Sequence, residues 1–426
     1  MRKKFLSAML AAAVAATALS GCGAKETAAT TAAETTAAKA DEETKSAETT
    51  AAETEAAEEA YKIGIVTPTV TVSEDEFRGA QEMVQKYPDL VVHKTLPENF
   101  ATDKEGCISV VTSLADDPEM KYIIFDNGME GIVPAFQTIR EKRPDIVTMV
   151  TCNDDPALLN EYVDIAITTD WNRRGETIAT KAHDMGAKTL IHYSFPTHMA
   201  SESKVVRRDR MKETCEKLGM EFVEITTPDP QTGNGTAPML QFLREDIPRQ
   251  IEKYGPDTNI FGTNCPMYDV ILDEAFKLKF IVAEQCCPTP TQAYPTVLNL
   301  EITEDDLGNY DKINQMITEK SKEAGMTGRL SGWAMPSSVY IPKLKVELAK
   351  YMHDNDLKPE DVLSKEFLDN FTAEHMPVKA DFQIAGEGLD HYYMLILEDI
   401  FYYYILIRPA ASDRRRLERS QTDHWG

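Results

Sequence analysis

"TTDWNRRGETIATKAHDMGAKTLIHYS", residues 168–194, decides how the chain is read. The apolar run "VDIAI" leads into its first two threonines, so a strand should stop near Asp170. Ile178, Ala182 and Met185 then recur at helical spacing, Gly186 stands where that helix would end, and "KTLIHYS" is a second strand signal. Strand, helix and strand in that order form a parallel βαβ unit. Asp170, Trp171, Arg173 and Arg174 fall at the turn between the first strand and the helix. Two readings of that turn compete. In one, Asp170 and Trp171 form a wall of a ligand site. In the other, Asp170 caps the helix, Trp171 packs beneath its first turn, and the arginines are ordinary solvated residues.

The same alternation extends in both directions. Upstream, "YKIGIVT", "LVVHKTL", "KYIIFDN" and "DIVTMVT" alternate with helical sets built on Phe77 and Ala80, Cys107 and Val111, and Ile132 and Phe136. Downstream come a helix with Met211 and Cys215 that ends at Gly219, the strand "EFVEITT", a helix around Phe242, Ile247 and Ile251, and "TNIFGTN". Pro248 predicts a kink or break in the helix near Phe242. The pattern specifies an α/β fold of two consecutive units of similar size, each a parallel sheet covered by helices. The expected boundaries are 61–168 for the first unit and 169–285 for the second.

In open α/β sheets a ligand crevice lies at the carboxyl ends of the strands. Those ends are Thr67-Pro68, Asp126-Asn127, Cys152-Asn153, Asp170-Trp171, Ser194-Phe195 and Thr263-Asn264. Taken singly each suits a turn; their recurrence at equivalent positions points to a site. Phe77, Trp171 and Phe195 are candidate flat faces for a sugar ring or base. Asp126, Asn153, Asp170 and Asn264 are candidate polar contacts for hydroxyls or charged groups.

The ends of the chain bear on location. "MRKK" followed by "FLSAMLAAAVAATAL" reads as a signal peptide, and "LSGC" resembles the lipobox of bacterial lipoproteins, which implies lipidation at Cys22 after removal of 1–22. Residues 23–60 are almost wholly Ala, Thr, Glu and Lys, a composition too poor in large apolar groups to fold, and read as a disordered tether. Residues 408–426 form a basic tail that fits no core pattern. No later run approaches the roughly eighteen uncharged apolar residues a membrane helix needs. A formal net charge of −25 argues against a nucleic-acid partner. The six cysteines beyond Cys22 match no zinc or CxxC spacing; several fall in apolar phase, and no disulfide pairing can be deduced. There is no GxSxG, HExxH, Walker loop or GxGxxG after a strand, and "SESK" (201–204) falls in an expected loop without companion motifs, so no catalytic residue, metal or cofactor is assigned.

Residues 61–300 resemble the type 1 periplasmic-binding-protein family, shared by sugar- and nucleoside-binding lipoproteins and the sensor domains of LacI-like repressors. Asp170, Gly175 and Gly186 match its run of Asp, Gly, apolar helix and helix-ending Gly. "RRDRMKETCEKLGM" is similar to its Arg-x-x-Gly helix, with Arg207 in the place of the ligand-reading arginine and Gly219 as the terminal glycine. Arg210 stands at the internal glycine position, and Cys265 replaces the acid of the usual Asn-Asp pair after Asn264. The resemblance implies two Rossmann-like lobes with parallel sheets joined by a hinge, three crossings between them with residues 286–407 returning to the first lobe and adding helices, a cleft that closes on a small polar solute, and a lipid-anchored protein on the extracytoplasmic face serving an ABC permease. A ligand-sensing receptor for a signalling partner is the alternative; an enzyme and a purely structural envelope protein stand behind it.

Overall fold

The computed structural model describes residues 60–402, apart from 101, 127–130, 153–155 and 234. Strands form where the short β-branched runs predict them. The first five are β1 (Lys62–Thr67), β2 (Val91–Thr95), β3 (Met120–Asp126), β4 (Val147–Thr151) and β5 (Ile165–Thr169). They lie parallel in the order β5-β4-β3-β1-β2. Two late strands complete this sheet: β11 (Tyr392–Leu397) pairs parallel with β5, and β10 (Ala380–Ile384) pairs antiparallel with β11 at the edge.

Both faces of the sheet are covered, which is why its strands read as near-continuous apolar runs. Successive residues of β3 divide between two cores. Tyr122 and Ile124 pack with the helices Glu74–Lys86 and Ser337–Asp354, while Ile123 and Phe125 pack under Lys104–Thr112 and Val133–Lys142.

The second lobe holds β6 (Thr189–Ser194), β7 (Glu221–Thr226) and β8 (Thr258–Gly262), parallel in the order β7-β6-β8. Bridges from Asn259 to Ile281 and from Val282 to Leu330 extend that sheet. They lead into β9 (Ser331–Trp333), which pairs antiparallel with β12 (Asp399–Phe401). One face is covered by the helices Arg174–Asp184 and Glu202–Leu218, which bury Ile178, Ala182, Met211 and Cys215 over Leu190 and Phe261. Gly175 lets them meet, since a Cβ there would lie 2.2 Å from the Arg207 carbonyl oxygen. The close approach that a glycine in place of Arg210 would allow is therefore made from the opposite helix. Gly219 ends its helix in the left-handed conformation, φ 74°.

Two expectations need correction. The break allowed for at Pro248 does not occur: the proline lies inside the continuous helix Ala237–Tyr254, whose apolar face (Met239, Leu243, Ile247, Ile251) is buried along its whole length. Burial on both sides of the proline outweighs the lost hydrogen bond. Residues beyond 285 do not return at once to the first lobe. Tyr294, Ile313, Ile317, Met326 and Leu330 belong to the second lobe's core, and the return comes after β9 with the helix Ser337–Asp354. The helix Tyr310–Glu323 has one buried stripe, and nothing in that periodicity says which lobe it will cover. The chain crosses between lobes after β5, after β9 and after β11.

Among the described residues, no helix is long and apolar enough to cross a membrane. Cys22, the expected tether and the basic tail lie outside the described residues.

Candidate functional site

The carboxyl ends of β3, β4 and β5 deliver Asp126, Thr151, Thr168 and Thr169 to one cavity of about 170 Å³. Glu76, from the first turn of the helix Glu74–Lys86, and Ser337, Ser338, Ile341 and Pro342, from the start of Ser337–Asp354, supply the facing wall. Trp171 closes the side where the chain leaves the first lobe. Two larger hollows, about 380 and 310 Å³, are surface grooves along helices, lined by residues such as Ser109 and Lys142 in one and Glu319 and Glu323 in the other. Neither lies at strand ends, so the smaller cavity is the better candidate.

At its floor lies a buried ion pair. Lys345 Nζ is 2.6 Å from Asp126 Oδ1, and both side chains are at most 1 % exposed. Thr151 donates its hydroxyl to the same carboxylate oxygen at 2.6 Å, and Lys345 reaches Thr151 Oγ1 at 2.6 Å. Burial pulls the Lys345 ammonium below its ordinary range, and Asp126 offsets part of that. Asp126 Oδ2 has no hydrogen-bond partner among the described residues. Burial raises the Glu76 carboxyl; Ser73 opposes that and Asp126 adds to it. The cavity thus presents a buried acceptor, hydroxyls and an indole.

The opening stretch does more than either reading allowed. Asp170 acts as a cap, accepting from Arg173 N at 2.8 Å and Arg173 Nε at 3.1 Å, so its carboxylate is already engaged. Arg173 also binds Asp381 of β10, through its carboxylate and its carbonyl. Arg174 is not solvated at all: it is 0 % exposed. Its Nε donates to Glu284 at 2.7 Å, Nη1 to Cys286 O at 2.8 Å and Nη2 to Gln285 O at 2.7 Å. The guanidinium carbon lies 4.9 Å from the Trp171 ring and 5.1 Å from the Trp333 ring. Lys181 joins Glu284 at 2.7 Å and also pairs with Asp399. Burial works against the Glu284 charge, but Lys181 and Arg174 outweigh it and hold the carboxyl below its usual range. One buried cluster therefore ties together all three crossings: Trp171 and Arg174 from the first, Trp333 from the second, Asp399 from the third.

The second-lobe candidates are placed differently. Phe195 is corrected: it is 0 % exposed in the second lobe's core, stacked on His198 with centroids 3.9 Å apart, and offers no face to a ligand. Arg207 is buried with its guanidinium 5.1 Å from the Phe261 ring, and its Nε has no partner among the described residues. The same holds for His192 Nε2 and Asn264 Oδ1. None of these lines the first-lobe cavity. Phe77 stands outside it too, tilted against His93 at 5.2 Å. Of the candidate residues, the cavity brings together Asp126 and Trp171. Asn153 lies outside the described residues. "SESK" opens the helix Glu202–Leu218 rather than a loop, with Lys204 Nζ 3.5 Å from Ser201 Oγ. Among the described residues no group of His, Cys, Asp or Glu is arranged to hold a metal ion.

Lys345, Glu284, Glu76 and Trp333 were not anticipated. Lys345 carried a signal: it sits four residues after Ile341 and three before Leu348, on the buried stripe of its helix, where a lysine needs a partner.

Two parallel α/β lobes, crossed three times and with strand ends that carry the polar groups, define the type 1 periplasmic-binding-protein fold. The chain belongs to the family described as "Protein of unknown function (DUF3798)", whose model matches residues 61–331. Two uncharacterized proteins of Treponema pallidum (strain Nichols) are similar. One is 33 % identical over 180 residues, 40 % of this chain and 81 % of that one; the other is 35 % identical over 153 residues, 36 % and 71 %. A solved structure described as a "putative transcriptional regulator" from Clostridium difficile 630 is 37 % identical with a TM-score of 0.78, covering 80 % of this chain and 99 % of that one.

Proposed function

We propose that the protein is an extracytoplasmic solute-binding lipoprotein, anchored through Cys22, that captures a small polar ligand between its lobes for an ABC permease. The observation that carries this reading is the first-lobe cavity, where Asp126 Oδ2 is buried without a partner among the described residues, beside an indole and several hydroxyls. A buried acceptor left unmatched costs about 1–3 kcal/mol, and a ligand hydroxyl or ammonium that donates to it recovers that cost. Sugars and nucleosides, which combine flat faces with hydroxyls, are the favoured class. Contacts to both lobes would favour a closed state that a permease can read.

The test is thermal unfolding of the purified protein against sugars, nucleosides, amino acids and small organic acids. A ligand at about 100 times its Kd adds roughly 2.7 kcal/mol, enough to move the midpoint by several degrees. A shift confined to one class supports the reading and identifies the solute. A flat panel, with no small molecule released on denaturation, overturns it. The likeness to a protein described as a transcriptional regulator supports a second reading, a ligand-sensing receptor. It shares the cleft and is separated by pull-down of a signalling partner rather than a permease.

A further inference from the structure

Three of the six described cysteines meet at one end of the second lobe. Cys265 follows β8 by three residues, directly after Asn264; Cys286 and Cys287 end the segment that runs beside β8. Cys265 Sγ lies 3.3 Å from Cys287 Sγ, and neither is in a disulfide. The two backbones are held side by side. Ile281 bridges Asn259, Asn259 Oδ1 accepts from Ala283 N at 2.8 Å, and Arg174 grips the Gln285 and Cys286 carbonyls. Cys287 is exposed and Cys265 half-buried, whereas Cys286 is buried with its thiol 3.2 Å from the Thr263 carbonyl oxygen.

We propose that Cys265 and Cys287 form a reversible dithiol–disulfide pair, a modification site that takes small disulfides as its reagent. The exposed Cys287, as thiolate, attacks one sulfur of a disulfide RSSR and expels RS⁻, giving a mixed disulfide. Cys265, deprotonated in turn, attacks Cys287 Sγ and expels the second RS⁻. The two protons lost by the protein thiols end on the leaving thiolates. The protein pair is thereby oxidised by two electrons and RSSR is reduced to two RSH. Cys286 is buried and donates to the Thr263 carbonyl oxygen at 3.2 Å, so the exposed Cys287 is the sulfur a small disulfide meets first, with Cys265 3.3 Å away to resolve the adduct. The disulfide fixes the backbone at Asn264 relative to the strand-end segment beside it.

The test is to incubate the purified, folded protein with mixtures of oxidised and reduced glutathione and follow its mass and cysteine peptides. The expected product is a loss of two hydrogen atoms with a 265–287 linkage, reversed by dithiothreitol. Its midpoint should rise by several degrees, because the cross-link restricts the unfolded chain. Cys265→Ser should instead hold a stable glutathione adduct at Cys287, Cys287→Ser should form neither product, and Cys286→Ser should still close the link. Persistent glutathione adducts on the unsubstituted protein, or a linkage through Cys286, would overturn the proposal. No solute enters the experiment, so its outcome is independent of the proposed binding function.

Discussion

The two lobes share a sheet architecture and differ at the strand ends that would face a ligand. The first lobe keeps polar groups at the wall of a cavity: Asp126 is buried there, its Oδ2 without a hydrogen-bond partner among the described residues, with hydroxyls and Trp171 around the same cavity. The second lobe buries its equivalents against aromatic rings. Arg207 lies over Phe261, His192 stacks on Phe261 at 5.9 Å, and Phe195 lies on His198. The same fold thus offers a preformed polar cup on one side and a packed, cationic and thiol-rich edge on the other. Ligand contact should begin on the first lobe.

The strongest way to break this comparison is to cut the cluster that joins the two halves. Arg174→Ala removes a charge partner of Glu284, two bonds to carbonyls and the packing between Trp171 and Trp333. Lys181 still holds Glu284, so the fold should survive but lose about 4 kcal/mol. Calorimetry should record a midpoint lower by about 6 °C. A change of less than a degree would mean that the lobes do not depend on the cluster.

Next in size is the first lobe's own ion pair. Lys345→Met leaves Asp126 buried with Thr151 as its remaining donor among the described residues and should cost about 3 kcal/mol in denaturant unfolding. Adding Asp126→Asn should recover most of that loss, because removing both charges also removes the desolvation they impose. Failure of the double variant to recover would place the cost in lost packing of the lysine stem.

Acid sharpens the contrast, because burial disfavours the charged form of the half-buried His93 in the first lobe and of the buried His192 and His198 in the second, and the two largest shifts are at His93 and His192. Burial lowers His93 in the first lobe to about 4; burial, aided by Arg207 and Arg208, lowers His192 in the second to about 3. His93 bridges Thr67 Oγ1 at 2.8 Å and Gln81 Nε2 at 2.7 Å, contacts a neutral ring satisfies. The unfolded chain takes up these protons near pH 6.5, before the folded state does. Stability from both is therefore complete above about pH 6.5 and is lost as pH falls toward 4 and 3. The midpoint should drop between pH 7 and 5, and His192→Phe should remove the larger share of that drop. An unchanged slope in that variant would show that the second lobe does not set acid sensitivity.

What was legible in the sequence follows from what periodicity encodes. Strand runs and amphipathic helices gave the two parallel sheets, and Gly186 and Gly219 marked helix ends because a left-handed residue is needed there. Strand ends led to Asp126 and Trp171 because topology alone brings those positions together. The pairings Asp126–Lys345 and Arg174–Glu284 join residues more than a hundred positions apart, and charge carries no address along a chain. Phe195 misled for a related reason. It follows β6 immediately, where an aromatic can turn toward the cleft or back into the core, and the local sequence is the same in either case.

That ambiguity sets the smallest and most discriminating test. Trp171 is half-exposed at the cavity wall with Arg174 against its ring, whereas Phe195 is wholly enclosed. If the first lobe's cup receives the solute, Trp171→Ala should weaken binding of whichever panel compound shifts the midpoint by roughly tenfold, about 1.4 kcal/mol, through loss of a stacking face. Phe195→Leu should leave that Kd unchanged and lower the unbound protein's stability instead, as a shrunken core side chain does. Calorimetric titration of both variants with the same compound separates the two. Weaker binding from Phe195→Leu, with Trp171→Ala silent, would move the recognition face to the second lobe and reverse the asymmetry on which the reading rests.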